Sequence, residues 1–288
     1  MTQHDRNGIT FRTTFSLTRN LGAPMSRVIK SFAILLVLGC WTASSAYAVP
    51  VAQMLDDFDV PQGPFATSGG IGSTAGSTVA GGSIAGGFRS AFIQKQSGSG
   101  NPNLKLEGVV DTFGGASSFN ISRSSGIGGV AQLQWDGENT PPTADTPTSG
   151  LIPSIAPPLD LTTGGSVGIV VRVLDADVAG QQITFDLYGA TSGDRISQTV
   201  LIPVAVDAMN SPYDVLLPWA SFNTISGSVN LNSIQAFALR MDGPAGADIT
   251  LEYVATYVPE PASAGMLGLG MVFLAGRMRK RSRVRAAV

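Results

Sequence analysis

Carboxylates are the side chains best able to do chemistry in the central part of this sequence. The one histidine, His4, and the one cysteine, Cys40, both lie before residue 49. A catalytic triad that needs histidine, a zinc site built on cysteine or histidine, and an internal disulfide are therefore excluded for residues 49–260. Paired carboxylates of the glycosidase kind and metal sites made of oxygen ligands alone remain.

The acids near the two ends of this region suggest one metal site. Asp56 and Asp57 lie in an early strand-like run, and Glu252 lies in the last one, together with Asp248 nearby. If the first and last strands are neighbours, Asp56, Asp57 and Glu252 could ligate calcium through oxygen atoms alone. The alternative is that these are surface or turn carboxylates, in which case no cofactor is expected.

Three aromatic residues are candidates for carbohydrate binding. Trp135, Trp219 and Tyr213 could each stack on the apolar face of a sugar ring. Trp135 also ends an alternating apolar run, so it could instead pack in the core. No acid lies in a recognisable catalytic motif, and we therefore expect a protein that is not an enzyme, with a glycan-active hydrolase as the minor alternative.

The elements that would position these residues are strands. Apolar and polar residues alternate with period two along residues 182–189 and 247–257, which is typical of half-buried strands. In the second run Ile249, Leu251, Tyr253 and Ala255 are predicted to share one face, opposite Asp248, Thr250, Glu252 and Val254. Further β-rich runs cover residues 129–135, 167–174 and 233–241.

Frequent turn residues between these runs predict an all-β sandwich or barrel that spans residues 49–257 as one domain. Residues 68–87 are rich in Gly, Ser, Thr and Ala and could be a linker or a flat strand segment. Residues 137–158 are rich in Pro and Thr, and we expect them to form an exposed, irregular loop.

The N-terminal part has the pattern of a secretory signal peptide over residues 25–48. A basic start with Arg27 and Lys30 precedes an apolar stretch, and Ala46-Tyr47-Ala48 provides a small-x-small cleavage site before Val49. Residues 1–24 precede a second methionine and are interpreted as an extension or a mis-assigned start. A lipoprotein signal with an acylated Cys40 is the minor alternative.

The C-terminal part has the pattern of a sorting signal over residues 258–288. The motif Val258-Pro259-Glu260-Pro261 precedes a short apolar segment, residues 263–276, which is predicted to be a transmembrane helix. Six cations that should stop translocation follow: Arg277, Arg279, Lys280, Arg281, Arg283 and Arg285. This tail resembles the PEP-CTERM signal of Gram-negative bacteria that make exopolysaccharide, and the resemblance implies cleavage near the motif by the membrane protease exosortase.

The central part also resembles globular domains of other PEP-CTERM proteins. The shared segments are Leu55-Asp56-Asp57-Phe58, Gly86-Gly87-Phe88-Arg89, Leu133-Gln134-Trp135-Asp136-Gly137, Leu159-Asp160-Leu161-Thr162 and residues 243–251. The resemblance implies a jelly-roll-like antiparallel sandwich related to carbohydrate-binding modules, here flanked by an N-terminal signal helix and a short C-terminal transmembrane helix. The family often has an acid where this chain has Phe88, which leaves Arg89 a structural pairing role.

The net charge of residues 49–260 limits the partners that we expect for this part of the chain. Of 18 Lys and Arg only seven lie within residues 49–260, against 19 of the 20 Asp and Glu, so this part carries a net charge near −12. Such a field repels phosphate backbones, so nucleic acid is not an expected partner. We expect an exported protein that passes through the inner-membrane export machinery, is held in the membrane by its C-terminal segment until exosortase acts, and reaches the cell surface or extracellular matrix. There it is predicted to be structural or adhesive through exopolysaccharide contacts, or else a carbohydrate-binding module with a defined sugar site.

Overall fold

The alternating segments form two stacked antiparallel sheets in the computed structural model. The structure describes residues 49–99, 106–113, 116–144, 146, 148–202 and 212–259. Its strands, numbered in chain order, are β1 (Val51–Asp56), β2 (Gln62–Thr67), β3 (Thr74–Ala80), β4 (Phe88–Ser97), β5 (Leu106–Phe113), β6 (Ala116–Arg123), β7 (Gly128–Trp135), β8 (Gly168–Ala176), β9 (Gln182–Tyr188), β10 (Arg195–Leu201), β11 (Tyr213–Pro218), β12 (Asn223–Ser226), β13 (Ala236–Gly243) and β14 (Ile249–Tyr257). In this part of the chain, helical structure is limited to two 3-10 turns, Thr163–Gly165 and Trp219–Ser221.

The chain passes repeatedly from one sheet to the other. Sheet A has the order β11-β8-β14-β6-β5-β2, with β1 also paired to β14, and sheet B has the order β12-β10-β9-β13-β7-β4-β3. All these pairs are antiparallel, which confirms the predicted jelly-roll-like sandwich. The predicted signal helix and transmembrane helix lie outside the described residues.

The core fills the space between the sheets. It is built from alternate residues of each strand, as the period-two pattern requires. Sheet A contributes Leu55, Phe119, Ile121, Val171 and Leu251, and sheet B contributes Ile93, Leu133, Phe185, Phe237 and Leu239, all fully buried.

The last strand departs from the predicted alternation. Ile249 and Leu251 face the core as expected, but Val254 also joins the core, whereas Ala255 lies in a small cluster on the outer face of sheet A. The register explains the change, because Leu251 pairs with Val173 and Tyr253 pairs with Arg172, which leaves Glu252 as an extra residue. Such a bulge reverses the faces that follow it. The predicted faces of Tyr253, Val254 and Ala255 were therefore wrong.

The Gly-rich stretch at residues 68–87 contains an edge strand of sheet B. Strand β3 pairs along its length with β4. Gly76 is needed there because a Cβ atom at this position would lie 2.7 Å from the carbonyl oxygen of Ala91. Of the two alternatives for this stretch, the structure shows the strand.

A buried ion pair joins the two sheets. Asp56 at the end of β1 accepts two hydrogen bonds from Nη1 of Arg89 on β4, at 2.8 and 2.9 Å, and both side chains are fully buried. Trp135 at the end of β7 donates from Nε1 to the same carboxylate at 2.7 Å. The guanidinium also donates to the side chain of Gln62 at 2.8 Å and to the Val60 carbonyl at 2.5 Å.

Each polar side-chain atom of this cluster therefore has a hydrogen-bond partner in the interior of the sandwich. The guanidinium also lies 5.2 Å from the ring centroid of Phe58, which adds a cation–π contact. A buried charge that loses its partner is strongly destabilising, since the remaining group has no water to hydrogen-bond. The ion pair is thus a requirement of this fold.

Replacing Asp56 with asparagine should test that requirement. Asp56→Asn leaves the Arg89 charge buried without a carboxylate, so we expect the free energy of unfolding to fall by about 3–5 kcal/mol. The measurement is urea denaturation of the exported protein, followed by circular dichroism. The control is Asp59→Asn, because Asp59 is exposed and accepts a hydrogen bond from Ser83; its cost should stay below about 1 kcal/mol. Equal losses in the two variants would contradict the requirement.

Candidate functional site

The tryptophan predicted to stack on sugar is part of the core. Trp135 is 0% exposed, and its ring stacks on Phe237 with a centroid distance of 4.7 Å. Its Nε1 atom is bound to Asp56. No face of this ring can contact a ligand in the folded protein, so of the two interpretations of Trp135 the structure shows the core one.

The other two aromatic candidates are separate from one another. Tyr213 begins β11, and Trp219 follows the end of the same strand. Since a strand rises about 3.3 Å per residue, they lie roughly 20 Å apart. Both are half-buried against the core, and Nε1 of Trp219 donates to the Ser166 carbonyl at 3.1 Å. They do not form a joint stacking platform.

The acids predicted to bind calcium lie on or directly after neighbouring strands, but their carboxylate side chains do not converge. Strands β1 and β14 do pair, with Asp56 opposite Val254. Asp56 points between the sheets to Arg89, whereas Glu252 is paired with Arg172 at 3.0 Å on the outer side. Asp57 accepts a hydrogen bond from the Asp59 amide. Within the described residues, no group of three or more acidic, histidine or cysteine side chains is placed to hold a metal ion.

The described residues of the segment 137–158, here called the cover segment, lie across part of the outer face of sheet B. The outward side chains of β7 hold them there, since Gln132 donates to the Thr146 carbonyl and Gln134 donates to the Ser149 carbonyl. Leu151 packs with Tyr188, Ala236 and Ala238 on the same face. The segment is irregular, as predicted. Half of its described residues are exposed, whereas Pro142, Leu151 and Ile155 are buried, so the expectation of an exposed loop is met only in part, because the outer face of sheet B carries apolar surface that needs burial.

Asp136 fixes the start of the cover segment. Its carboxylate accepts from the amides of Glu138 and Ile152 at 3.1 and 3.0 Å. Burial raises the pKa of Asp136, and these amide hydrogen bonds oppose the rise. Gly137 follows with a φ of 81°, and a Cβ atom there would lie 2.9 Å from the Ile155 nitrogen, so a glycine is required for the chain to turn.

A polar groove lies beside the cover segment on the same face of the sandwich. It has a volume of about 740 Å³ and is lined by Gln182 and Thr184 of β9, Arg240 and Asp242 of β13, and the turns at Ala179-Gly180 and Gly243-Pro244. The register explains the grouping, because Arg240 lies opposite Thr184 and Asp242 lies opposite Gln182. These side chains alternate with core residues, so they point outward together.

Charges at the groove are paired. Arg240 and Asp242 form an ion pair at 3.1 Å. Behind them Asp186 lies 3.7 Å from Arg195. Burial raises the pKa of Asp186. The hydrogen bond from Ser197 and the positive charges of Arg195 and Arg240 oppose this rise. The charged pair that lines the groove, Arg240 and Asp242, is therefore neutral overall and, together with Gln182 and Thr184, offers hydrogen-bond donors and acceptors that suit hydroxyl groups.

The groove residues were missed at the level of sequence. Arg240 and Asp242 alternate with Leu239 and Met241, so their outward direction could have been inferred from that run. The sequence does not show which strands are neighbours in a sheet. The pairing of β13 with β9 is what places Gln182 and Thr184 beside them.

The chain enters and leaves the sandwich through two neighbouring strands, β1 and β14. The amide of Val258 donates to the carbonyl of Pro50 at 3.1 Å, directly beyond the β1–β14 pairing. Residues 258–280 match the model of the PEP-CTERM protein-sorting motif. The chain carries a PEP-CTERM sorting signal. The motif indicates an exosortase substrate and an exported protein, so the prediction made from the tail is confirmed.

Other predicted features of the two ends lie outside the described residues. These are the cleavage-site residues Ala46 and Ala48, the motif residues Glu260 and Pro261, and the cations from Arg277 to Arg285. None of the residues that the structure describes belongs to a helix with the length and hydropathy needed to span a bilayer.

Several solved structures resemble the sandwich. A family 11 carbohydrate-binding module from Clostridium thermocellum, in complex with a β-1,3-1,4-mixed-linked tetrasaccharide, is 12% identical, with 73% of this chain and 97% of that chain covered and a TM-score of 0.32. A family 30 module of a cellulosomal cellulase of the same organism is 13% identical, with 73% and 98% covered and a TM-score of 0.35. An exo-β-agarase is 11% identical, with 73% and 25% covered and a TM-score of 0.33. No curated protein matches the chain.

Trp135→Phe should show that this tryptophan acts in stability. The variant keeps an aromatic ring but loses the hydrogen bond to the buried Asp56 carboxylate, so we expect the free energy of unfolding to fall by about 1.5–3 kcal/mol. Trp219→Phe is the matched control, because it loses a hydrogen bond to a neutral carbonyl and should cost about 0.5–1.5 kcal/mol. Urea denaturation measures both. A Trp135→Phe variant that is as stable as the wild type would count against the core role.

Proposed function

We propose that this is an exported, non-enzymatic protein of the cell surface or extracellular matrix, whose sandwich contacts exopolysaccharide weakly through the polar groove. The observation that carries the proposal is the sorting signal at residues 258–280, which begins at the residue after β14 ends. Cleavage near the Pro-Glu-Pro motif would leave every strand of the sandwich intact. The proposed function needs no cofactor.

The groove supports contact with polysaccharide of a particular kind. Its side chains, Gln182, Thr184, Arg240 and Asp242, can exchange hydrogen bonds with sugar hydroxyls. No aromatic residue is among those that line it, so the stacking that gives many sugar sites their affinity is missing there. Contacts of this type are weak and broad. Because residues 49–260 carry a net charge near −12, a neutral polysaccharide is favoured over a strongly anionic one.

A defined sugar site is the second candidate function. The groove supports it too, since polar side chains from two neighbouring strands converge in one concavity. The two candidates differ in saturation, because a defined site binds one oligosaccharide with a measurable limit. Weak matrix association shows no such limit.

Glycan hydrolysis is the least supported of the three candidate functions. A glycosidase needs two carboxylates with different protonation, about 5–9 Å apart across the scissile bond. Asp242 at the groove is paired with Arg240, and Asp186 behind it is buried beside Arg195. Both acids are thus committed to structural ion pairs.

Sorting is tested first, by intact mass and cell fractionation of the protein from its native host with and without exosortase. We expect a form that ends near Pro259 and is found outside the inner membrane only when the protease is present, because the cations after residue 276 hold the tail on the cytoplasmic side. A tail that persists, with a location independent of exosortase, would show an ordinary tail-anchored envelope protein.

The groove is tested by affinity electrophoresis in gels that contain exopolysaccharide purified from the host. Gln182→Ala/Thr184→Ala removes two hydrogen-bonding side chains, each worth about 0.5–1.5 kcal/mol, so we expect retention to weaken by roughly tenfold. The matched control is Asn223→Ala/Thr224→Ala, an amide and a threonine exposed on β12 at the edge of the same sheet. Equal retention of both variants would exclude the groove, and no retention of the wild type would exclude the polysaccharide contact itself. Saturation by a single oligosaccharide would favour the defined site.

A further inference from the structure

Four polar side chains form a cluster on the outer face of sheet A. Arg172 of β8 lies at the centre, with Nε 3.0 Å from the Glu252 carboxylate and Nη1 3.6 Å from the Asp214 carboxylate. Nη1 also donates to the Tyr253 hydroxyl at 3.4 Å, and the guanidinium lies 5.8 Å from the centroid of that ring. The side chains of Asp214 and Arg172 are only 13% and 18% exposed.

The charges of this cluster do not balance. It holds two carboxylates and one guanidinium, and the pKa of Tyr253 is raised, chiefly by burial, so this phenol stays neutral at physiological pH. Oδ1 of Asp214 is buried and has no hydrogen-bond partner among the described residues. A second cation beside Asp214 would complete the cluster, since a partly buried carboxylate favours a positive neighbour.

The nitrogen of Val49 is placed where that cation would be. It donates to Oδ2 of Asp214 at 3.2 Å. The side chain of Val49 packs on the outer cluster formed by Val170, Ala255 and Tyr257, which fixes the position of the nitrogen. The next residue, Pro50, accepts the hydrogen bond from Val258.

This residue also follows the predicted cleavage site. Hydrolysis of the Ala48–Val49 bond gives the hydroxyl of water to the Ala48 carbonyl carbon and a proton to the Val49 nitrogen. That nitrogen then takes a second proton from solvent, since an α-amino group has an ordinary pKa of about 7.7–8.0. The neutral amide becomes an ammonium without moving from Asp214.

We propose that the mature protein begins at Val49 and that its α-ammonium is the second cation of the cluster, bound to Asp214. Signal-peptide removal then does more than release the domain. It completes the charge balance on the outer face of sheet A and pins the new chain end beside β14, next to the start of the sorting signal.

A raised amine pKa should follow from this contact. The titratable and charged groups around the nitrogen are Asp214 on β11, Arg172 on β8, and Glu252, Tyr253 and Tyr257 on β14. Arg172 opposes the rise, but it is already paired with Glu252, and Asp214 makes the direct contact. With a folded pKa above the unfolded value, the stabilisation is fully present below about pH 7.7 and is lost as the pH rises through the folded pKa.

The test uses the processed protein purified from its host. N-terminal sequencing should give Val49 as the first residue. Pulse acetylation with acetic anhydride at several pH values, read by mass spectrometry of the N-terminal peptide, then gives the pKa of the amine. We expect about one unit above the value in the urea-unfolded protein. At pH 7.5 the folded amine should then react roughly fivefold to tenfold more slowly than an amine of ordinary pKa.

Asp214→Asn should return the amine of the folded protein to its ordinary pKa. Asp242→Asn, which removes one carboxylate from sheet B instead, should leave it raised. The folded and unfolded wild-type values decide the matter even if Asp214→Asn does not fold. A start other than Val49, or one pKa shared by the folded protein, the unfolded protein and Asp214→Asn, would overturn the proposal.

Discussion

The fully buried pair of Asp56 and Arg89 constrains the rest of the sandwich. Two charges taken out of water need each other and need hydrogen bonds on every remaining atom. Arg89 meets this demand through its planar fork, which reaches Asp56, Gln62 and the Val60 carbonyl at once. Because Asp56 lies in sheet A and Arg89 in sheet B, the pair also sets how the two sheets are positioned against each other.

The consequences of this pair extend to the opposite face of sheet B. Trp135 must point inward to donate to Asp56, so its neighbour Asp136 must point the other way. Asp136 there accepts the amides that begin and hold the cover segment. That segment covers Gln132, Gln134 and Tyr188, and the groove lies beside it on the same face. One buried contact is thus linked, through a tryptophan and its neighbour, to the position of the cover segment beside the groove.

The sequence predicted the strands better than it predicted their environment. Period two located β9 and β14 well, and the shared segments around Asp56, Arg89 and Trp135 turned out to be the members of one network. The alternation gave wrong faces after Leu251, because a single extra residue, Glu252, reverses them and nothing in the run marks it. The calcium hypothesis placed β1 beside β14 correctly. It fails on side-chain direction, since Asp56 points inward and Glu252 outward, and such directions depend on registers between distant strands.

Residues 49–260 contain only seven cations. The six that the structure describes are each either buried or paired with a carboxylate. Arg89 and Lys95 are fully buried, Arg123 is nearly so, and Lys95 donates to the carbonyls of Gly69 and Ser99. The remaining three, Arg172, Arg195 and Arg240, are each paired with a carboxylate of the same or a neighbouring strand.

This use of the cations bears on what the exported protein can bind. The basic residues that bring the whole chain to a net charge of −2 lie before residue 49 and after residue 260, so residues 49–260 on their own are acidic, with their arginines already engaged. An anionic polymer would meet net repulsion from this part of the chain, where the six cations that the structure describes are already engaged. A polymer of neutral hydroxyls meets none, and the paired donors and acceptors of the groove remain available to it. The charge balance of the fold therefore restricts the partners of the protein before any particular contact is considered.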